Sequence, residues 1–237
     1  MNVRYVALVP AAGHGTRFGT QQAKQYASLA GRPMIFHALA VLLSDPRVAR
    51  VFVALAADDT RWESHNWEAF GKRVEVLRCG GATRAETVLN SLELLQEQLA
   101  QTDWVLVHDA ARPCLPVADL SRLIDKLGDA PIGGLLAAPL ADTLKRADTN
   151  QSVAATLPRD NLWRAQTPQM FRFGILRDAL RAALSANAPG SIPTDEAGAI
   201  EALGHRPELV AGSARNIKVT YPEDLAIAEL FLSQGTP

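Results

Sequence analysis

The stretch LVPAAGHGTRFGTQQAKQY, residues 8–26, decides the fold class of this chain. It starts as an apolar run and continues into a loop of glycine and other small residues that carries two cations, Arg17 and Lys24. A continuous apolar run is typical of a strand buried on both faces of a parallel sheet. Such a loop after the strand indicates a phosphate site. It leaves open which phosphate is bound and whether that phosphate is also attacked.

Two familiar phosphate motifs match this loop poorly. A Walker A loop requires G-x-x-x-x-G-K-[ST], but Gly19 is followed by Thr and Gln. A dinucleotide turn requires G-x-G-x-x-G/A. Gly13 and Gly15 supply its first half, but Phe18 takes the third small position. The motif alone therefore leaves a solvated surface turn with two incidental cations as the alternative.

Composition narrows the class of protein. The 237 residues are enough for one large α/β domain over residues 1–237. The formal net charge of −1 gives no bulk attraction to nucleic acid or to a membrane surface, so neither is expected as a partner. Any anion site must then be local.

Cysteine usage and the first apolar run bear on location. Cys79 and Cys114 lie far apart and have no Cys or His neighbours at zinc-ligand spacing. That favours a reducing cytosol over a disulfide scaffold, so we expect a cytoplasmic protein. The apolar run at residues 6–12 is too short to span a membrane, and it lacks the layout of a signal peptide.

Strand-like and helical patterns alternate along the chain. The buried strand-like runs are residues 5–10, 51–55, 74–77, 104–107 and 134–138. The helical patterns are one that starts near Pro33, residues 84–99, residues 118–127, and a last helix that Leu230 closes. The last helix carries the capping pattern Thr220-x-x-Glu223, with Pro222 in its first turn. The alternation predicts a mostly parallel sheet with helices on both faces.

Ligands of such sheets bind beyond the carboxyl ends of the strands. Residues 11–24, 79–84 and 108–113 follow three strands, so these loops should face one crevice. Together they hold the cations Arg17, Lys24, Arg84 and Arg112 and one carboxylate, Asp109. Several cations around a single Asp suggest a polyanion bound with Mg²⁺. The convergence favours a nucleotide phosphate site over an incidental turn.

Two stretches interrupt the alternation. Residues 139–164 are polar and too long for a plain connection in a compact domain. This segment is therefore interpreted as an excursion that packs on something other than its own domain. Residues 187–193, NAPGSIP, read as a surface loop.

Seven motifs together carry a resemblance to a known family. They are PAAGHGTRF, KQY, HDAARP, DTLKR, TPQMF, TDEA and NIKVTYPEDL. In this order, over residues 6–230, they resemble the 2-C-methyl-D-erythritol 4-phosphate cytidylyltransferases. The resemblance implies a Rossmann-like α/β domain, a Mg²⁺ ion or another divalent cation, and a homodimer. It also implies that CTP and a methylerythritol phosphate are joined and that pyrophosphate is released.

The resemblance assigns roles to residues of this chain. The catalytic cations would be Arg17, Lys24, Arg159 and Lys218. The nucleotide would be bound by Pro10, Ala11, Ala12, Gly13, Gly15, Gly81, Ala82, Arg84 and Thr87. The acceptor would be bound by Asp109, Arg112, Thr143, Arg159, Thr194 and Lys218. Because Thr143 and Arg159 lie in residues 139–164, we predict that this segment is an arm that embraces a second copy of the chain and completes that copy's site. Asp109 would orient either the acceptor or the metal, which is otherwise held by phosphates and water.

Some residues depart from the family or have a plainer interpretation. Ala82 stands where the family often has Asp, which questions one side-chain contact to the nucleotide. Ala23 stands where the family often has Pro. His108 at a strand end is interpreted as a packing or hydrogen-bonding residue. Asp195 and Glu196 are interpreted as the start of a helix, where acids suit the dipole.

The attacked group in this interpretation is the α-phosphate of CTP, and the nucleophile is an oxygen of the acceptor phosphate. The second pKa of a phosphomonoester is near ~6, so no general base is required at pH 7. Two rival functions remain open. One is a cytidylyltransferase for another polyol phosphate, such as ribitol 5-phosphate. The other is a non-catalytic nucleotide sensor.

Overall fold

A computed structural model describes residues 3–13, 23–186 and 192–234. Gly15, Arg17 and most of the predicted surface loop at 187–193 lie outside these residues. In the described part the strands are β1 (Tyr5–Pro10), β2 (Ser28–Leu29), β3 (Arg32–Pro33), β4 (Val48–Leu55), β5 (Val74–Arg78), β6 (Trp104–Val107), β7 (Gly133–Pro139), β8 (Leu144–Ala147), β9 (Val153–Leu157), β10 (Trp163–Arg172) and β11 (Glu208–Ala211). The α-helices are α1 (Met34–Ser44), α2 (Arg84–Leu94), α3 (Val117–Leu127), α4 (Phe173–Ser185), α5 (Glu196–Ala202) and α6 (Asp224–Ser233).

One sheet organises the fold. Among the described residues its seven strands lie in the order β11-β7-β10-β6-β1-β4-β5. β1 is parallel to both β4 and β6, β4 is parallel to β5, and β7 is parallel to β11. β10 alone among them runs antiparallel, between β6 and β7. The predicted mostly parallel, Rossmann-like α/β fold is confirmed.

The alternation of β1 explains why helices cover both faces. Ala7 and Val9 belong to a core cluster that includes residues of α1 and α3. Val6 and Leu8 belong to a second cluster, with residues of α2, α4 and α5. Successive side chains of a strand point to opposite faces, so an apolar run needs a helical layer on each side. Burial of one such Leu stabilises the fold by about 1.5–3 kcal/mol.

Several predicted boundaries need correction. The predicted helix over 84–99 ends at Leu94, although Leu95 and Leu99 stay buried in the turns that follow. The predicted capping pattern at Thr220 is wrong, because α6 begins only at Asp224. Asp224 Oδ2 accepts instead from the amides of Thr220 at 2.7 Å and Tyr221 at 2.9 Å.

The segment at residues 139–164 leaves the sheet as an arm. β8 and β9 form an antiparallel pair in it, separate from the large sheet. Every arm residue is exposed or half-buried, and apolar side chains are among the exposed ones, with Val153 at 66% and Trp163 at 39%. The segment singled out in the sequence thus contains a strand pair of its own. Its role in a dimer stays a prediction.

Across residues 3–13, 23–186 and 192–234, none of the helices has both the length and the apolarity needed to cross a bilayer.

Candidate active site

The first wall of the crevice is the carboxyl end of β1. The Ala11 amide donates to Ala54 O on β4 at 2.8 Å, so the sheet holds the chain one residue beyond the strand. Gln25 Nε2 donates to Ala11 O at 2.7 Å, and this buried bond ties the far end of the phosphate loop to its start. The backbone at the mouth of β1 is therefore fixed from two sides.

The second wall is the glycine pair of the loop after β5. A Cβ on Gly80 would lie 2.4 Å from Ala12 Cβ, and one on Gly81 would lie 2.5 Å from Glu86 Cβ. Carbon atoms in contact prefer about 3.5–4.0 Å, so a side chain at Gly80 would push the loop after β5 away from the loop after β1, and one at Gly81 would push it away from the first turn of α2. Glycine here lets the loop after β5 pack against the loop after β1.

α2 begins directly after this glycine pair. Thr83 Oγ1 accepts from Glu86 N at 3.1 Å, and Glu86 Oε2 accepts from Thr83 N at 3.1 Å, which completes a capping box. Thr87 Oγ1 accepts from the Gly81 amide at 3.0 Å and donates to Thr83 O at 2.9 Å. The helix cap thus also fixes the peptide of Gly81.

A cavity of about 520 Å³ lies between these walls, a size typical of small-molecule sites. Eight of the nine residues predicted to bind the nucleotide line it: Pro10, Ala11, Ala12, Gly13, Gly81, Ala82, Arg84 and Thr87. The ninth, Gly15, lies outside the described residues. Lys24 and Lys218 line the same cavity, and Lys24 Nζ donates to Val219 O at 2.7 Å. Arg17 lies outside the described residues.

Asp109 is the centre of the charged cluster in this crevice. Arg84 Nε donates to Asp109 Oδ1 at 3.1 Å, Lys218 Nζ lies 2.9 Å from Oδ2, and Arg112 Nε lies 3.6 Å from Oδ2. Burial acts to raise the pKa of Asp109, but the charges of Arg84 and Lys218 outweigh it and hold the pKa well below its usual range. Asp109 is therefore ionised at neutral pH.

A second carboxylate reaches the cluster from α5. Glu196 is fully buried, and its two oxygens accept from Arg84 Nη1 at 2.6 Å and Nη2 at 3.1 Å. Burial raises the pKa of Glu196, and the charge of Arg84 opposes the rise. Burial also acts to lower the pKa of Arg84, but Glu196 and Asp109 outweigh it and raise that pKa above its ordinary value. The three predicted loops thus contribute Asp109, and the second carboxylate comes from α5, outside these loops.

A smaller cavity of about 180 Å³ adjoins the first one. Arg84, Asp109 and Lys218 line both cavities and form the partition between them. Four residues predicted for the acceptor line the smaller cavity: Asp109, Arg112, Thr194 and Lys218. The other two, Thr143 and Arg159, lie on the arm and line neither cavity of this chain. The Arg159 guanidinium donates to Ala141 O, also on the arm.

His108 holds the loop that carries Asp109. Its ring is fully buried, and burial lowers its pKa to about 4, so the imidazole is neutral. Arg112 O can only accept, so Nε2 donates to it at 3.1 Å, and Nδ1 accepts from the Thr167 hydroxyl at 3.0 Å. Thr167 Oγ1 in turn accepts from the Asp109 amide at 3.0 Å. His108 is thus a hydrogen-bonding residue, in agreement with its plainer interpretation.

Sequence reasoning missed the contribution of β10 and α5 to the site. Thr167 and Gln169 of β10 and Glu196 of α5 were not assigned roles, although TPQMF and TDEA are among the seven motifs. The prediction that Asp195 and Glu196 begin a helix is confirmed, since Asp195 Oδ1 accepts from Gly198 N at 2.9 Å as the cap of α5. The motifs were the signal available, but they do not show that Glu196 turns inward.

The side chains around Asp109 do not fit a metal site. Both Asp109 oxygens already accept from cationic side chains. Within the described residues, His, Cys, Asp and Glu side chains form no group of three or more that could hold a metal ion. Hard cations such as Mg²⁺ need several oxygen ligands. The donor set therefore disfavours Asp109 as a metal ligand.

The fold and the site together define the class of protein. Glycine-lined loops and cations meet beyond the carboxyl ends of parallel strands, which is where open α/β sheets bind nucleotide phosphates. An adjoining cavity shares three charged residues with the nucleotide cavity, so a second substrate would lie against the phosphates. This is the site of an α/β nucleotidyltransferase.

Comparisons with known proteins identify the family. The family model described as IspD, 2-C-methyl-D-erythritol 4-phosphate cytidylyltransferase, matches residues 5–234, and the chain belongs to this family. It is similar to the enzyme of that name from Dechloromonas aromatica, at 55% identity over 97% of both chains. A second relative of that name, from Nitrosospira multiformis, is 56% identical over 96% of this chain and 97% of its own.

Solved structures agree with this family. A crystal structure of a 4-diphosphocytidyl-2C-methyl-D-erythritol synthase is 42% identical, with a TM-score of 0.84, and the match covers 98% of this chain and 99% of the other. The Francisella tularensis 2-C-methyl-D-erythritol 4-phosphate cytidylyltransferase is 34% identical, with a TM-score of 0.82, and covers 96% of this chain and 99% of its own.

Proposed function

We propose that this protein transfers the cytidylyl group of CTP to 2-C-methyl-D-erythritol 4-phosphate, in non-mevalonate isoprenoid biosynthesis. An oxygen of the acceptor phosphate forms a bond to the α-phosphorus of CTP. The bond from that phosphorus to the oxygen that bridges to the β-phosphate breaks, and pyrophosphate leaves with the electron pair. The products are 4-diphosphocytidyl-2-C-methyl-D-erythritol and pyrophosphate.

The observation that carries this proposal is the partition between the two cavities. Arg84, Asp109 and Lys218 line both of them, so substrates bound on the two sides would meet at these charges. A reaction between two phosphate groups requires that two anions approach and that charge on the leaving pyrophosphate is stabilised. Preorganised cations at the meeting point provide both.

No general base is required. The acceptor phosphate has its second pKa near ~6 and is largely a dianion at pH 7. His108, the nearest candidate, uses both ring nitrogens within the protein and lines neither cavity. The roles left for side chains are to position and to stabilise. Lys24 and Arg17 would bracket the triphosphate, and Lys218 would hold the acceptor beside Asp109.

The cytosine base would be recognised by backbone groups near Ala12, Gly13 and Gly81. The Gly81 amide already donates to Thr87 Oγ1, so the group that Gly81 can offer is its carbonyl, an acceptor. The 4-amino group of cytosine is a donor, whereas the 4-oxo group of uracil is an acceptor. CTP should therefore be preferred over UTP, because the mismatch leaves buried polar groups unpaired.

A divalent cation, with Mg²⁺ as the first candidate, is proposed as the companion of the triphosphate. Its ligands would be phosphate and water oxygens rather than Asp109, because the Asp109 oxygens are taken by Arg84 and Lys218. A cytoplasmic location is proposed as well, supported by the free thiols of Cys79 and Cys114.

The arm supports the proposal that the protein is a homodimer. Thr143 and Arg159 are predicted to bind the acceptor, yet both are exposed on the arm and line neither cavity of their own chain. An arm that embraces a second copy would bring them to that copy's smaller cavity. In a two-fold pair the exchange is mutual and gives two composite sites.

The test is a pyrophosphate-release assay that crosses CTP, UTP, ATP and GTP with the two polyol phosphates. We expect release with CTP and 2-C-methyl-D-erythritol 4-phosphate, and little release with ribitol 5-phosphate or with the other nucleotides. Preferred use of ribitol 5-phosphate would reassign the acceptor. Tight CTP binding without pyrophosphate release from any pair would support a nucleotide sensor and refute the proposed reaction.

A further inference from the structure

Glu196 is a buried charge that lies outside both cavities. It is the first residue of α5, its side chain is 0% exposed, and it lines neither the larger nor the smaller cavity. It therefore cannot touch a substrate bound there. An ionised carboxylate is kept in such a place only where a cation and hydrogen bonds offset its lost hydration. Arg84 supplies both, through its two terminal nitrogens.

The position of Arg84 is unusual for an arginine. It is the first residue of α2, where the helix dipole favours an anion and opposes a cation. What holds the guanidinium there is the pair of carboxylates, Glu196 on Nη1 and Nη2 and Asp109 on Nε. These contacts use three of the five N–H groups of the guanidinium. The remaining two are the donors that Arg84 can offer at the partition.

The placement of Glu196 is itself fixed from the sheet. Gln169 on β10 donates through Nε2 to Asp195 Oδ2 at 2.9 Å, and its Oε1 accepts from Ala197 N at 2.8 Å. One amide side chain thus binds the first turn of α5 on both sides of Glu196. The carboxylate is held by β10 rather than by a mobile helix end.

We propose that Glu196 is a positioning residue for the transfer reaction and acts through Arg84. It fixes the guanidinium on the partition between the cavities, with two N–H groups directed to phosphate oxygens, and so also sets Asp109 Oδ1. The proposal rests on the proposed function, because the partition has a catalytic role only if two phosphates meet there. Gln169 thus fixes Glu196, Glu196 fixes Arg84, and Arg84 holds Asp109.

The test compares Glu196→Gln with Glu201→Gln in the pyrophosphate-release assay with CTP and the acceptor. Glu196→Gln keeps the shape of the side chain and removes its charge, so Arg84 loses its anchoring partner. We expect kcat/KM to fall by about 10- to 100-fold, as for other residues that position a reacting group. Glu201 is an exposed carboxylate of the same helix, and its replacement should leave kcat/KM unchanged. A folded Glu196→Gln variant with wild-type kcat/KM would overturn the proposal.

A double-mutant cycle separates positioning from a merely structural role. If Glu196 acts through Arg84, then Arg84→Gln and the double variant Arg84→Gln/Glu196→Gln should have the same kcat/KM. If Glu196 acts on its own, the two losses multiply, and the proposal is wrong. If a single variant does not fold, the double variant, in which both partners of the buried pair are neutral, is compared with wild type instead, and a wild-type kcat/KM there would overturn the proposal.

The same assay keeps the two proposals apart. A wild-type chain that releases no pyrophosphate with any acceptor contradicts the proposed function itself. An active wild type with an unaffected Glu196→Gln variant contradicts only the positioning role.

Discussion

The crevice and the arm differ in what holds their functional residues. In the described part of the crevice the charged side chains meet partners of their own chain, as Asp109 does with Arg84 and Lys218. On the arm, the Arg159 guanidinium donates to Ala141 O of the same segment, and no residue of 139–164 is buried. A preorganised site keeps its geometry before the substrate arrives, whereas an exposed segment needs a surface to fix it. The comparison teaches that the described residues predicted for the nucleotide meet within one chain, whereas those predicted for the acceptor are divided between the crevice and the arm.

The largest effect that tests this comparison is the loss of a crevice cation. We expect Lys24→Ala to lower turnover by roughly 10²–10³, because it removes one preorganised contact to the developing charge. Arg17→Ala should act alike. Both kinetics and thermal unfolding would be measured, with Lys72→Ala, an exposed lysine before β5, as the control. Near-normal turnover of a folded Lys24→Ala variant would remove Lys24 from the mechanism.

For the arm, we predict that two inactive variants regain activity when they are refolded together. Lys24→Ala and Arg159→Ala should each be nearly inactive as pure proteins. After refolding as an equal mixture, half of the pairs are mixed, and one of the two sites in a mixed pair is intact if Arg159 acts in the other copy. Activity should then rise to about a quarter of wild type. No recovery in preparations where mixed pairs are shown to form would place Arg159 in its own chain's site or in none.

The free energy of unfolding should also depend on pH, because His108 is buried behind the crevice. The pKa of His108 is lowered from 6.5 to about 4, so below pH 6.5 the unfolded chain takes up a proton that the folded chain refuses. Stability should therefore fall as the pH drops from 6.5 to about 4, by up to about 3 kcal/mol from this one group. Urea unfolding at several pH values would measure it. His108→Gln should flatten this part of the curve, and an unchanged slope would mean that other groups cause it.

The smallest effect concerns the departure at Ala82. Ala82 is exposed and lines the larger cavity, so an aspartate can be placed there without steric conflict. We expect Ala82→Asp to lower the KM for CTP by a few fold or less and to leave kcat unchanged, since one exposed hydrogen bond contributes about 0.5–1.5 kcal/mol. A large rise in the KM for CTP would show that the loop has adapted to the small side chain.

The sequence predicts the parallel half of the sheet well, for a simple reason. β1, β6 and residues 51–55 of β4 are continuous apolar runs, and each of these strands ends in a loop with small or charged residues. β10 does not have this apolar pattern, because three buried polar residues interrupt the strand: Gln166, Thr167 and Gln169. Their hydrogen bonds to α5 and to the loop after β6 exist only in the folded chain. A strand that serves as a polar scaffold lacks the pattern by which strands are recognised.

The residues of the site likewise divide into those that the sequence reveals and those that only the folded chain reveals. Asp109 was found because the carboxyl ends of parallel strands share one edge, whereas Ala12 was assigned by the resemblance to the family. The partnership of Arg84 with Glu196 was not found, because 112 residues separate them. Nothing in the local pattern of α5 distinguishes a glutamate that turns inward from one that faces water. Only the packing of α5 against β10 decides it.

The antiparallel strand has a consequence for assembly geometry. β7 leads into the arm and β10 leads out of it, with Pro139 paired to Trp163 and Ala138 paired to Arg164 at its base. The arm is therefore a prolongation of two hydrogen-bonded strands of the central sheet, rather than an appendage on flexible linkers. Its direction is inherited from the twist of that sheet. In any two-fold pair that the arms build, the geometry of the central sheet in each subunit therefore determines the angle between the subunits.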